Sequence, residues 1–482
     1  MVKPTSLYIC SNCGAQSRQF FGRCAGCGSW NTLVEQPLGP APDRRRRRSV
    51  DAAHRDGPAG RPVRSEPIEA VGDRPQQRLS SGYGELDRVL GGGLVPGSLV
   101  LLGGDPGIGK STLLLQSARS LARRASVLYV SAEESAQQVK LRWRRLAEAD
   151  VAPAADIDMG AAPEATGFQL LAETDLELVL QELEGLRPDV AVIDSIQALH
   201  DAELGSAPGS VAQVRECAAA LARIAKRQDT ALLLVGHVTK EGMLAGPKVL
   251  EHLVDAVLTF EGDRFASHRL LRAVKNRFGA THELGVFEMQ GRGLAEVSNP
   301  SELFLGGDQP SSGTATIVAC EGTRPLVVEL QALVSTTSYA SPRRSATGIA
   351  VNRLHQILAV LEKHLGLPLS RFDCYLAVAG GLEVEEPAAD LGVAAAVVAS
   401  YRELILPPGT VLIGELGLGG QLRPVGQLEL RLQEAARLAF HRAVVPKGSG
   451  LGQVVAGLEL LECSTLAEAI VKGLSSHRQE SE

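Results

Sequence analysis

Apolar and polar positions fall into two alternating patterns between residues 98 and 275. Short runs such as Leu99-Val100-Leu101-Leu102 (after Ser98), Val127-Leu128-Tyr129-Val130 and Val190-Ala191-Val192-Ile193 are apolar at every position. Such runs predict strands covered on both faces. The stretches between them repeat apolar residues at spacings of three and four, as at 113, 114, 118 and 121, which predicts helices with one buried stripe. Strands are expected over 98–103, 126–131, 189–194, 230–236, 255–261 and 268–275, and helices near 111–124, 135–148, 173–185 and 211–228. This alternation predicts a parallel sheet with helices on both faces and a ligand site at the carboxyl ends of the strands.

Residues 36 to about 78 show no periodicity and are rich in Pro, Gly, Ala, Arg and Asp, so they read as a linker. Leu79 to Gly97 reads as a turn-rich lead into the first strand. A second change in composition, near 300–345, brings Pro300, Gly306-Gly307, Pro310 and Ser311-Ser312-Gly313. Another folded unit is expected over about 314–474. It has strand runs at 315–320 and 325–332, a helix at 349–365 and further helices at 388–401 and 427–440.

The first strand runs into Gly104-Asp105-Pro106-Gly107-Ile108-Gly109-Lys110-Ser111, followed by Thr112. This fits the G-x-x-x-x-G-K-[ST] loop that wraps nucleotide phosphates. A strand, a glycine turn and a helix start direct backbone N–H groups and a positive dipole end at one anion. Lys110 can reach the terminal phosphates and Ser111 can hold Mg²⁺. Asp194, at the end of a later apolar run, is the expected second acid for the metal. Glu133 and Glu134 end the strand at 126–131. One of them is expected to orient the attacking water, with Glu133 preferred. His237, at the end of strand 230–236, is placed to sense the γ-phosphate, or is simply a strand-end histidine.

Four of the eight cysteines lie in the first 27 residues, as Cys10-x-x-Cys13 and Cys24-x-x-Cys27, each pair followed by Gly. Two such knuckles present four sulfurs to one Zn²⁺. So short a segment needs the metal to fold. Arg18, Phe20, Phe21, Arg23 and Trp30 surround it and permit nucleic-acid contact. The remaining cysteines, Cys217, Cys320, Cys374 and Cys463, are scattered and read as small buried hydrophobes.

The 482 residues suffice for two or three domains. The composition is 44% hydrophobic but only 4% aromatic, so the cores must be aliphatic. The formal net charge of -6 means that any nucleic-acid binding uses local patches. Arg44 to Arg48 is one such run, or a solvated tether. Residues 264–282 form another: Arg264, Arg269, Arg272, Lys275 and Arg277 occur there with no acid. Phe278 offers a stacking face and Gly279 a joint. Lys275 or Arg277 could instead reach a neighbouring subunit's γ-phosphate. No apolar run reaches 18 residues and no signal-peptide pattern opens the chain, so a cytoplasmic protein with no membrane partner is expected.

These residues together resemble one family. The cysteine pairs, GGDPGIGKST, VSAEES, DVAVIDS, VGHVTKEGMLAGPKVLEHLVD and Lys275-Asn276-Arg277-Phe278-Gly279 are similar to the bacterial DNA-repair RadA (Sms) family over essentially the whole chain. The chain departs from its usual pattern at Ala132, where Gly is frequent, and at Phe20, where Trp is. The resemblance implies an α/β fold: a RecA-like P-loop ATPase core with a parallel sheet, preceded by a zinc ribbon and followed by an α+β Lon-protease-like domain. It implies a ribbon over 1–35, a basic linker over 36–78, the ATPase over 79–298, a connector over 299–345 and the Lon-like domain over 346–482. The implied activity is a DNA-dependent ATPase that processes recombination intermediates and promotes branch migration with RecA, as a helicase-like hexameric ring on single-stranded or branched DNA. Carried over by residue, 104–112 would bind ATP, Ser111 and Asp194 would serve Mg²⁺, Glu133 would activate water, Cys10, Cys13, Cys24 and Cys27 would hold Zn²⁺, and 275–279 would couple nucleotide to DNA. The competing reading is a RecA-fold signalling ATPase whose nucleotide state switches protein partners.

Lon-type proteolysis needs a serine nucleophile and a lysine base. The nucleophile would fall near Ala388, which has no hydroxyl, and no lysine lies between Lys363 and Lys447. Glu429 and Arg431 cannot replace a neutral amine. No peptidase activity is expected. Arg343, Arg344 and Arg353 remain as possible DNA contacts.

Overall fold

A computed structural model describes residues 6–10, 16–17, 19–26, 28–30, 32–37, 77–149, 167–237, 247–262, 267–306, 311–339, 341–449 and 456–474. Cys13, Arg18, Cys27, Arg44 to Arg48 and Arg264 lie outside the described residues. The chain divides into two compact units, Met1–Thr281 with Phe287–Ala295, and His282–Val286 with Glu296–Glu482.

The N-terminal segment is a three-stranded antiparallel sheet of β1 (Ser6–Cys10), β2 (Gln16–Ser17) and β3 (Leu33–Pro37), in the order β2-β1-β3. Cys10, Cys24 and Leu33 form its small buried cluster.

The larger α/β unit begins with helix α1 (Gly84–Leu90), which sequence reading took for a turn-rich lead. Its apolar stripe of Leu86, Val89 and Leu90 is buried, and Gly91 closes it in the left-handed conformation at φ 81°. The sheet then builds from β4 (Leu99–Gly104), β5 (Val127–Ser131), β6 (Phe168–Leu171), β7 (Val190–Asp194), β8 (Ala231–Val235), β9 (Ala256–Glu261), β10 (His268–Asn276), β11 (Leu284–Gln290) and β12 (Gly293–Glu296). Strand order is β12-β11-β10-β9-β4-β8-β7-β5-β6. From β9 to β6 the pairing is parallel. The sequence expectation of a parallel sheet fails at β10, which pairs antiparallel with β9. Strands β6, β11 and β12 escaped sequence reading: β6 is only four residues long and none of these carries a long apolar run.

The central strands separate their apolar residues by parity. Val100, Leu102, Val127, Tyr129, Val190 and Val192 face one core, together with Leu113 and Leu114 of α2 (Lys110–Leu121) and Val139 and Leu146 of α3 (Ala136–Ala149). Leu99, Leu101, Leu128, Val130, Ala191 and Ile193 face the other, against α4 (Leu176–Leu186) and α5 (Val211–Gln228). Covering on both faces is why these strands carry no polar side. Each fully buried Leu or Val contributes about 1.5–3 kcal/mol. Asp175 caps α4, accepting from Glu177 N–H at 2.8 Å, and Ser210 caps α5. A short helix α6 (Pro247–Leu253) precedes β9.

The second unit holds a seven-stranded sheet in the order β15-β16-β14-β13-β17-β20-β21. Its strands are β13 (Thr314–Glu321), β14 (Arg324–Thr336), β15 (Arg344–Thr347), β16 (Phe372–Val378), β17 (Thr410–Leu412), β20 (Arg442–Pro446) and β21 (Glu459–Cys463). A separate ribbon pairs β18 (Glu415–Leu416) with β19 (Leu422–Arg423). The helices are α7 (Val351–Leu365), α8 (Asp390–Arg402), α9 (Leu428–Arg437) and α10 (Leu466–Leu474). Helix α8 is buried at ten consecutive positions, Asp390 to Ala399, so an all-round small apolar composition replaces the usual stripe. No helix among the described residues is long and apolar enough to cross a membrane.

Candidate active site

Strands β4, β5, β7 and β8 deliver the candidate residues from their carboxyl ends. The phosphate loop leaves β4 with φ of 151° at Gly104, where a Cβ would meet the Phe260 carbonyl oxygen at 2.5 Å. Gly109 is at φ 117° and a Cβ there would meet Met289 Cε at 2.6 Å. Only glycine fits both places. Gly107, also left-handed, has open space where its Cβ would be, so the loop crest is clear for a ligand.

Lys110 is buried, and its Nζ donates to the carbonyl oxygens of Gly104 at 2.7 Å and Asp105 at 2.8 Å. Burial holds its pKa below the ordinary lysine value, partly offset by Asp194, Glu133 and Asp105. A buried cation satisfied only by loop carbonyls, beside an open crest, fits an anion as its missing counter-charge. The donor set suits nucleotide phosphates with Mg²⁺.

Asp194 ends β7 in the same neighbourhood. Burial raises its pKa, while hydrogen bonds from Tyr129 and Ser111 pull the other way. Tyr129 Oη donates to Asp194 Oδ2 at 2.6 Å from the adjacent strand β5. Burial, followed by the charge of Asp194, pushes the Tyr129 phenol well above its usual range, so it remains a donor. Sequence reading missed Tyr129 because it looks like an ordinary strand aromatic. Its in-phase position opposite Val192 in the parallel pair is visible only once strands are ordered.

The two glutamates after β5 part company. Glu133 Oε1 accepts from Ser195 Oγ and lies 2.9 Å from His237 Nε2. The hydrogen bond with His237 lowers the Glu133 pKa, against desolvation and with help from Ser195 and the Lys110 charge. Glu134 instead pairs with Arg142 of α3 at 2.5 Å. Ser195, fully buried, is a further residue that sequence reading passed over.

The segment 275–279 is acid-free in sequence but not in space. Arg277 Nη1 pairs with the buried Asp255 at 3.0 Å, and Arg272 lies 3.7 Å from Glu261. Lys275 Nζ donates to the carbonyl oxygens of Glu251 and, at 2.7 Å, Val254, capping the end of α6. Asn276 Nδ2 donates to Val89 O at 3.1 Å, and Arg78 Nη2 to Phe278 O at 2.8 Å. A Cβ on Gly279 would meet Gly91 Cα at 2.8 Å. The acids come from β9 and its approach, which are neighbours only through the antiparallel pairing of β10.

In the N-terminal sheet Cys10 and Cys24 are buried, and Gly26 N–H donates to Cys24 Sγ at 3.3 Å. Such N–H···S bonds orient the sulfur, as the outer contacts of a metal ligand do. Residues 8–35 match the rubredoxin metal binding domain family, and residues 75–243 match the AAA domain family. A DNA repair protein RadA from Synechocystis sp. is 56% identical over 99% of this chain and 96% of its own length. A second, from Bacillus subtilis, is 46% identical over 98% of this chain and 99% of its own length.

The chain belongs to the DNA repair protein RadA family.

Its fold is a zinc ribbon, a RecA-like ATPase core whose central strands are parallel, and a further α+β domain. A solved KaiC-like protein from Pyrococcus horikoshii OT3 overlaps 46% of this chain and all of its own at 19% identity, with a TM-score of 0.37.

In the second unit Ala388 and Ala389 are buried at the start of α8. Arg431 is buried and forks onto Glu386 at 2.5 and 2.6 Å, while its Nη1 also donates to Val318 O at 2.6 Å. Arg353 pairs with Asp390, and Arg344 donates to Phe372 O and, at 2.7 Å, Leu369 O. Arg343 lies 3.7 Å over the Tyr339 ring. Of the three arginines named as possible DNA contacts, each therefore has an intramolecular partner.

Proposed function

We propose that this RadA-family chain is a DNA-stimulated ATPase that acts on recombination intermediates, promoting branch migration alongside RecA as a hexameric, helicase-like ring. The observation that supports it most is the convergence of Lys110, Ser111, Asp194 and Glu133 around one open loop crest, with Glu133 held by Ser195 and His237.

In this reading residues 104–112 bind ATP, and the backbone N–H groups at the start of α2 meet its phosphates. Ser111 and Asp194 hold Mg²⁺, which when bound neutralises charge on the transferring phosphoryl group. Tyr129 fixes Asp194. Lys110 exchanges its loop carbonyls for the terminal phosphates. Glu133 orients water for in-line attack, and Glu134 serves as a brace to α3. His237 reports on the γ-phosphate through Glu133. Lys275 to Gly279 couple nucleotide state to DNA by loosening their grip on α6, Asp255 and Gly91. Cys10, Cys13, Cys24 and Cys27 hold Zn²⁺. The α+β domain is Lon-protease-like but has no peptidase activity.

The test is phosphate release by purified protein with and without single-stranded DNA. Stimulation by DNA, retained nucleotide binding but lost stimulation in Lys275→Ala, supports the proposal. Turnover indifferent to DNA at moderate salt overturns it.

A further inference from the structure

The acid-poor stretch of the sequence, 264–282, uses its cations inside the fold. Another region leaves three of its cations outside the fold. Between residues 119 and 147 there are seven cationic side chains, Arg119, Arg123, Arg124, Lys140, Arg142, Arg144 and Arg145, and only two carboxylates, Glu133 and Glu134. They lie on the end of α2 and along α3, two helices that share one side of the sheet. Arg142 is taken by Glu134 and Arg124 by the Ser80 carbonyl. Lys140, Arg144 and Arg145 are exposed and have no ion pair or side-chain hydrogen bond among the described residues. Val139, Trp143 and Leu146 anchor α3 inward, so the remaining flanks are presented outward.

We infer that the outer face of α3 is a second contact surface for the phosphate backbone of DNA. The inference rests on the DNA-dependent reading above. Lys140 to Arg145 spans about 7.5 Å of helix at about 1.5 Å per residue, which is close to two nucleotide steps of one strand at about 3.4 Å each. Beside them a cleft of about 350 Å³ lies between the helices, lined by Gln116, Arg119, Ser120, Arg123 and Leu146. Its Gln116 amide is spent on Tyr83 Oη and Leu294 O, and Arg119 and Arg123 have partners within the fold, so the cleft adds positive charge beside α3 and no open donor. The one large aromatic of α3 is not available to bases: Trp143 packs on Phe168 with centroids 4.1 Å apart and under Arg119 at 5.8 Å. The surface therefore reads charge and not sequence. Arg142 and Glu134 also join α3 to the residue beside Glu133, so DNA held here bears on the water-orienting loop.

The experiment is binding of a fluorescein-labelled oligonucleotide of mixed sequence, by anisotropy, across about 50–200 mM salt. The doubly substituted Arg144→Gln, Arg145→Gln protein is compared with wild type and with Arg144→Lys, Arg145→Lys. Two lost phosphate contacts should reduce the slope of log K against log salt by about 1–2, at about 0.7–0.9 per contact. The lysine pair should retain the wild-type slope. Weakening should be equal for unrelated sequences, and DNA-free turnover should be unchanged, which excludes misfolding. Equal affinity and slope in wild type and the glutamine pair overturn this inference alone. A wild type that does not bind the oligonucleotide overturns the DNA reading as well.

Discussion

Lys110 Nζ donates to the carbonyl oxygen of Gly104 at 2.7 Å, so the phosphate loop is closed by its own lysine. The ion is desolvated and its proton is held less tightly than in water. A phosphate arriving at the crest supplies a stronger partner than two carbonyls. Ligand binding thus exchanges one set of hydrogen bonds for another without exposing the charge.

Lys110→Ala should lower ATP turnover by on the order of 100-fold or more, the usual effect of losing a donor to the developing charge. Phosphate release under saturating ATP measures it. Turnover near that of the unaltered protein would remove the assignment.

The two adjacent glutamates should respond differently. Glu133→Gln should reduce turnover by about 10²–10⁴-fold, the range for a lost general base. Glu134→Gln removes only a partly exposed ion pair, worth about 0.2–1 kcal/mol, and should leave most turnover intact. Comparable losses in both would mean that the roles are shared.

His237 should set the acid limb of the pH profile. Its hydrogen bond holds the Glu133 carboxyl below the ordinary range. A carboxylate held low contributes stability above its unfolded pKa and loses it as pH falls through the lowered value. The Glu133 contribution to the acid limb of kcat/KM follows the ionisation of that base, so it should lie below pH 4.5, the ordinary value for the group, and His237→Ala should move it upward. An unmoved or lowered limb contradicts the coupling.

The Glu386 and Arg431 pair should stabilise the second unit rather than catalyse. Arg431→Ala leaves the Val318 carbonyl without this donor and Glu386 with the Cys320 N–H but no counter-charge, and should cost on the order of 3 kcal/mol, as for a broken buried pair. The denaturation midpoint of that unit reports it. Casein cleavage should be absent in the natural chain and also in Ala388→Ser, because the added hydroxyl finds no neutral amine.

Cys24→Ser should abolish zinc retention, since the knuckle loses a buried sulfur. Elemental analysis after gel filtration measures metal per chain. An unchanged ratio refutes the four-sulfur site.

The phosphate loop, Asp194, the Glu133–Glu134 pair and the cysteine pairs could be named from the sequence because their chemistry is local. Each is set by a glycine, a charge or a thiol at a fixed spacing beside a strand. The apolar strands were legible because burial on both faces leaves no polar positions in them. Tertiary structure decided what depends on pairing between distant segments. It gave Glu134 to Arg142 and left Glu133 to Ser195 and His237, a choice between neighbours that spacing cannot make. It turned β10 antiparallel and so brought Asp255 to Arg277 and the end of α6 to Lys275, neutralising a stripe that was acid-free only along the chain. It left Lys140, Arg144 and Arg145 facing solvent. Charge acts through distance in space, and only the folded chain fixes that distance.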